Sequence, residues 1–255
     1  MIKAVFFDVD GTLISHNQKG IPKSTIEALD KLAEKGIRRV LATGRHTVEL
    51  AMLPVNDIAF DGYITLNGQL CLDGQKNVIS GTPIDGKEKE MILQLFRERT
   101  LPVVLVEKDR FYINFINHEV ELAQESISTP LPDVDEYSGN EIYQAVVYLE
   151  DERALVEQLP NCKITRWAKF GVDVIAASGG KTEGIKEYLQ LNQLKREETM
   201  AFGDGENDIE MLQYVQIGVA MGNADDEVKQ NADYVAASID DDGLMKALVE
   251  FKVIE

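Results

Sequence analysis

An apolar run that ends abruptly in two carboxylates is the feature that most constrains this chain. Ala4-Val5-Phe6-Phe7 reads as a short buried β-strand, and Asp8 and Asp10 follow it one residue apart. Gly11-Thr12 then breaks the strand, glycine supplying the backbone freedom of a tight turn. Alternate strand residues share a face, so both carboxyls leave the strand end aimed at one spot. Two such charges about 4 Å apart repel by roughly 4 kcal/mol at an effective dielectric of ~20. A proton, a basic side chain or a divalent cation has to offset that.

The next segments alternate. Ser24 with Glu27 three residues on is a capping-box pattern, and Ile26, Leu29, Leu32 and Ala33 follow at helical spacing up to Gly36. Residues 38–42 read as a strand ending in Thr43-Gly44-Arg45, residues 47–53 as a helix, and residues 63–66 as a strand ending in Asn67-Gly68. Strand–helix–strand alternation with short links predicts a parallel sheet with right-handed crossovers. Ligands of such sheets sit at the carboxyl ends of the strands.

The pattern changes near Gly81-Thr82-Pro83. A helix over 87–99, a hairpin over 103–115, a helix over 117–127 and a loop over 129–139 with two prolines follow. Then come a strand (142–149), a helix (151–159) and two short strands (163–166 and 172–175). Helix-strand-strand units open and close this stretch, which reads as a separate α+β domain over 83–177. After Ser178-Gly179-Gly180 the alternation resumes: a helix from Lys181, a strand over 199–202 ending in GDGEND at 203–208, a helix, a strand over 216–220, and a final helix from the Asp240-Asp241-Asp242 run. The fold class is therefore α/β, a Rossmann-like parallel-sheet core from 1–82 and 178–255 with an inserted domain.

Composition excludes several classes. The formal charge of −18 argues against nucleic acid and anionic membranes, which need clustered Lys and Arg. No apolar run approaches the ~18 residues of a membrane span. Met1-Ile2-Lys3 enters the first strand at once, so no signal peptide is expected, and two cysteines, Cys71 and Cys162, fit reduced thiols of a cytoplasmic protein.

Strand ends thus supply Asp8, Asp10, Asp204 and Asp208, with Asn207 between the last two. Oxygen ligands suit Mg²⁺, which keeps waters and a substrate phosphate in its shell. Thr43 offers a hydroxyl, Gly44 lets backbone approach, and Lys181 opens a helix where an ammonium and free N–H groups face an anion. Such a site can run phosphoryl transfer through an aspartyl-phosphate. Taken singly these signals are weak. A DxD pair is more often a surface turn, TGR an ordinary loop, Lys181 a solvated lysine, and 203–208 a turn or a calcium-like loop that lacks the remaining EF-hand positions. Arg45 can meet substrate or pair with a site carboxylate. His16, His46 and His118 share no metal spacing, and Trp167 and Phe170 suit a pocket wall or plain core equally.

DVDGT at 8–12, ATGR at 42–45, Lys181 and GDGEND at 203–208, in this order, resemble the haloacid dehalogenase-like phosphatases over essentially the whole chain. The insert resembles the α/β cap (type C2B) of the Cof-type, or type IIB, subclass, and Asn67-Gly68 also fits it. The resemblance implies Asp8 as nucleophile and Asp10 as general acid/base. It implies Mg²⁺ held by Asp8, the Asp10 carbonyl and Asp204, with Asp208 a further or water-mediated contact. It implies phosphate bound by Val9 backbone, Thr43, Gly44, Lys181 and Asn207, with Arg45 and Asn67 as candidate substrate contacts. The expected activity is hydrolysis of a small phosphorylated metabolite, a sugar phosphate, by a monomer or weak homo-oligomer. A phosphomutase or phosphotransferase, and a non-catalytic phosphometabolite-binding protein, are the alternatives.

Overall fold

A computed structural model describes residues 1–15, 17–18, 20–127 and 129–255. His16 lies outside the described residues. The chain divides into two units, 1–80 with 181–255, and 81–180.

The first flank of unit 1 contains β1 (Ala4–Phe7), α1 (Lys23–Glu34), β2 (Arg38–Ala42), α2 (Thr47–Leu50), β3 (Gly62–Thr65), β4 (Leu70–Asp73) and β5 (Val78–Gly81). Unit 2 follows, with α3 (Gly86–Glu98), β6 (Val103–Val106), β7 (Phe111–Ile113), α4 (His118–Ser126), β8 (Gln144–Tyr148), α5 (Arg153–Gln158), β9 (Cys162–Arg166) and β10 (Gly171–Ala176). The second flank adds α6 (Lys181–Leu191), β11 (Thr199–Gly203), α7 (Ile209–Tyr214), β12 (Ile217–Ala220), α8 (Asp226–Gln230), β13 (Tyr234–Val235) and α9 (Gly243–Glu250).

Both flanks build one sheet, in the order β13-β12-β11-β1-β2-β3-β4-β5. Pairing is parallel from β13 through β3, with β1 between β11 and β2. All four residues of β1 are fully buried, because both faces of the sheet are covered. Phe6 meets Tyr188 of α6 edge-on, with ring centroids 5.9 Å apart, and Phe7 stacks on Phe202 at 5.6 Å.

The structure differs from the sequence reading at three places in this unit. Ser24 is not the cap of α1. Ile26 N–H donates to Pro22 O at 3.1 Å, so the helix begins two residues earlier and the Ser24 hydroxyl has no partner among the described residues. The alternation also stops after β3: β4 turns back antiparallel to it and β5 extends that edge. The Asp240 end of the final helix is a separate turn, whose Asp240 carboxylate accepts from Ser15 (2.6 Å), Asn17 (2.7 Å) and Gln18 (3.0 Å).

Unit 2 carries its own five-stranded antiparallel sheet, in the order β7-β6-β8-β10-β9. Its core is apolar, with Ile92 and Phe96 of α3 and Leu155 of α5 packed against Val103, Leu105, Val147, Val172 and Val174. One acid is buried here: Glu107, 2 % exposed, accepts from Tyr112 (2.6 Å), Asn140 (2.8 Å) and the Ser138 hydroxyl. Burial pushes its carboxyl up, but the three donors outweigh burial and hold it below the usual range.

A lowered folded pKa means that the stabilisation is complete above the unfolded value of ~4.3 and is lost as pH falls below it. Glu107→Gln keeps the shape and removes the titration. It is expected to lower stability at pH 7 by about 1–3 kcal/mol, since donors face a poorer acceptor. It is also expected to flatten the loss of thermal midpoint between pH ~5 and ~3. Melting curves of both proteins across that range test this; parallel acid-induced losses would contradict it.

Candidate active site

Parallel pairing sends the carboxyl ends of β12, β11, β1, β2 and β3 to one edge of the sheet. That edge collects Asn223, Asp204, Asp8 with Asp10, Thr43-Gly44-Arg45 and Asn67. Lys181, the first residue of α6, joins them from the second flank.

Lys181 donates from Nζ to Asp8 Oδ1 and to Asp208 Oδ1, both at 2.7 Å. The three side chains are nearly sealed, 1 %, 10 % and 0 % exposed. Burial alone would lower the ammonium, but Asp208 and Asp8 more than reverse this and raise it above its ordinary value. Burial also lifts the Asp8 carboxyl well above the carboxylate range; Lys181 opposes that, while Asp208, Asp204 and Asp10 add to it.

Asp204 is pushed up to about 7 by burial and by Asp208, against a hydrogen bond from Thr12 Oγ1 at 2.9 Å. Gly11 is required beside it. The glycine has φ +78°, and a Cβ there would stand 2.0 Å from Asp204 Oδ2. Asp208 turns back on its own loop and accepts from the amides of Asp204 and Gly205, each at 3.0 Å.

Asp10 has a different counter-charge. Arg45 forks onto it, Nε to Oδ2 at 2.6 Å and Nη2 to Oδ1 at 2.9 Å. Glu49 lies 3.6 Å from the far side of the guanidinium and also accepts from His46 N–H at 2.8 Å. His46 is buried and caps α2, its Nδ1 accepting from Val48 N–H at 3.1 Å. Of the other histidines, His118 is an exposed helix-start residue of unit 2.

Thr43 Oγ1 accepts from Arg45 N–H at 3.1 Å, leaving its own proton to donate elsewhere. Val9 is buried, and its carbonyl accepts from Leu13 (3.0 Å) and Ile14 (2.8 Å). Leu66 and Asn67 both have φ 53°, an uncommon left-handed turn for such residues. It carries the Asn67 amide over Gly44, where a Cβ would meet it at 3.0 Å, and Asn67 Oδ1 accepts from Asn207 Nδ2 at 3.0 Å. Trp167 and Phe170 belong to unit 2, where Trp167 meets Tyr148 edge-on and Phe170 is buried.

Oxygen atoms of Asp8, Asp204 and Asp208 all lie within 4.8 Å of one another. Three formal negative charges face one buried ammonium, leaving two uncompensated. Hard oxygen donors with that excess fit a divalent cation such as Mg²⁺. The Asp10 side chain is outside this triad, engaged by Arg45. Sequence reasoning gave no role to Thr12 or Asn223, which both donate to Asp204. The pointer to Asn223 was its place just past a parallel strand, the rule that had selected the other site residues.

Residues 5–248 match the family model described as haloacid dehalogenase-like hydrolase. YkrA of Bacillus subtilis (strain 168) is 32 % identical over 257 residues, spanning 99 % of both chains. Among solved structures, BT1666 from Bacteroides thetaiotaomicron, described among phosphatases of this superfamily, superposes with TM-score 0.91 at 35 % identity, covering 100 % of this chain and 96 % of that one. BT4131, described as a subclass IIB sugar phosphatase, superposes at 0.87 with 37 % identity, covering 99 % of this chain and 100 % of that one. With this carboxylate-rich strand edge and these matches, the chain belongs to the haloacid dehalogenase-like hydrolases, as a phosphatase acting on phosphate esters whose structural neighbours are the subclass IIB enzymes.

Proposed function

We propose that this chain is a Mg²⁺-dependent phosphatase of a small phosphorylated metabolite, a sugar phosphate, working through an aspartyl-phosphate on Asp8. The observation that carries the reading is the Asp8 carboxylate, held at 2.7 Å by a buried lysine and grouped with two further acids. BT4131, a sugar phosphatase by its description, supports the substrate class. Two free thiols, Cys71 and Cys162, suit a reducing, cytoplasmic compartment.

Asp8, Asp204 and Asp208, with the Asp10 carbonyl, would hold the cation. Bound there, Mg²⁺ would supply Lewis-acid polarisation of phosphoryl oxygens. Asp8 Oδ attacks phosphorus while the ester P–O bond breaks. Asp10 gives its proton to the departing sugar oxygen. Asp10 then takes a proton from water as that water attacks phosphorus, the acyl-phosphate P–O bond breaks, and Asp8 leaves as a carboxylate with inorganic phosphate. Lys181 fixes the attacking carboxylate and offsets its charge. Thr43, Gly44, Asn207 and the Val9 backbone would receive the phosphate, with Asn67 orienting Asn207.

Arg45 has a double part. Its fork occupies both oxygens of Asp10, and a protonated Asp10 needs one of them back. A phosphate dianion competes for the same guanidinium. Arg45 is therefore read as releasing Asp10 when substrate arrives.

Glucose 6-phosphate with Mg²⁺ separates the readings. Free phosphate supports hydrolysis, and an isomeric sugar phosphate without phosphate release supports a mutase. Asp8→Asn is expected to cost at least about a thousandfold in turnover; unchanged activity would sink the mechanism. Asp10→Asn with p-nitrophenyl phosphate is expected to release a burst of roughly one nitrophenolate per site and then slow, since that leaving group needs no proton but the second step needs a base. Arg45→Lys, which has no planar fork, is expected to lower kcat/KM for the sugar phosphate by about tenfold to a hundredfold. Wild-type kinetics in this variant would remove Arg45 from the site.

A further inference from the structure

We infer that Asn223 is a positioning residue for Asp204, setting the orientation in which that carboxylate meets the divalent cation; the inference rests on the metal-dependent reading above. Asp8 and Asp208 are both oriented by Lys181, and Asp10 by Arg45. Asp204 is the member of the acidic triad with no basic side chain in ion-pair contact among the described residues. Its orientation falls to neutral donors. Thr12 Oγ1 donates to Oδ1 at 2.9 Å, and Asn223 Nδ2 donates to Oδ2 at 3.3 Å.

One donor on each oxygen fixes the plane of a carboxylate and leaves a further lone pair on each for a ligand. A cationic donor would offset the charge that draws the metal; an amide and a hydroxyl do not.

The Asn223 amide is itself locked. Its Oδ1 accepts from Ile239 N–H at 3.1 Å, so its amino group must face the other way, where it also donates to Gly11 O at 2.9 Å. A flipped amide would set donor against donor at Ile239 and acceptor against acceptor at Gly11 and Asp204. The anchor is held in turn. Gly222 N–H donates to Ala237 O at 3.1 Å, and Asp240 accepts from Ser15 at 2.6 Å. One side chain thus ties the turn after β1, the turn after β11 and the turn before α9, and Asp204 is the titratable group among its partners.

The test is calorimetric titration of the full chain with MgCl₂ and MnCl₂, alongside p-nitrophenyl phosphate hydrolysis at varied Mg²⁺. Asn223→Ala is expected to raise the Mg²⁺ dissociation constant about tenfold or more, as loss of outer partners of metal ligands does. KM for the aryl phosphate at saturating Mg²⁺ should stay within about twofold, because Asn223 touches no proposed phosphate ligand. Ser238→Ala is the control: its hydroxyl accepts from Asp240 N–H at 3.3 Å in the same turn, without touching Asp204. It should leave metal affinity unchanged. Wild-type metal affinity in Asn223→Ala, or an equal loss in Ser238→Ala, overturns the assignment. Should the alanine variant fail to fold, Asn223→Ser carries the same expectation and the same overturning result. A wild-type chain that neither binds Mg²⁺ nor needs it for hydrolysis would refute the metal-dependent reading itself, before any variant is compared.

Discussion

The carboxyl edge of the parallel sheet depends on one buried ammonium. Lys181 sits at 2.7 Å from both Asp8 and Asp208, with almost no solvent on any of the three side chains. Taking each ion out of water costs several kcal/mol, and only close, charge-assisted bonds on both sides of the lysine offset it. The partners lie 173 and 27 residues away along the chain. Lys181 is also the residue at which the chain re-enters unit 1. The same contact therefore fixes the end of β1, the start of α6 and the turn after β11, and joins the two flanks of a discontinuous unit. Losing the lysine would leave two buried carboxylates facing each other, so it is structurally as well as chemically constrained.

The two carboxylates that end β1 do not share this lysine. Strand alternation points them at one edge, but the chain gives Asp8 the buried ammonium and Asp10 the partly exposed guanidinium of Arg45. That separation places two acids one residue apart in different electrostatic surroundings. The first is pinned by a single-point cation that leaves its second oxygen available. The second is gripped by a planar fork that uses both oxygens.

Much of this was legible in the sequence because burial writes itself plainly. Ala4-Val5-Phe6-Phe7 is a continuous apolar run because both faces of β1 are covered. The change of grammar after Pro83 marks a different sheet because antiparallel hairpins lack crossover helices. What failed was local. Ser24 and Glu27 spell a capping box, but the first helical hydrogen bonds go to Pro22 O, which puts Ser24 inside the helix. The β4 strand, Leu70–Asp73, follows β3 after a short turn with no α-helix between them, so the strand–helix–strand alternation does not announce it, and its antiparallel pairing with β3 reveals it. At the site, residue types at strand ends were readable, but pairings were not. Whether Arg45 met substrate or a carboxylate was left open by sequence, and Asn223 carried no motif. Both depend on side chains converging from segments whose spacing along the chain says nothing of distance.

The formal charge of −18 looks ill suited to a phosphate substrate, and the site resolves the conflict locally. Asp8, Asp10, Asp204 and Asp208 set four formal negative charges against the two positive charges of Lys181 and Arg45. A phosphate monoester brings about two more negative charges near neutral pH. A site already carrying an excess of two would repel it. Two of these acids also hold the lysine and the first turn, Asp208 accepting from Lys181 and Asp204 from Thr12. The excess of two on these six groups is what a divalent cation would neutralise. Among the described residues Asp204 is the carboxylate of this set that no basic side chain contacts, its donors being the neutral Thr12 and Asn223.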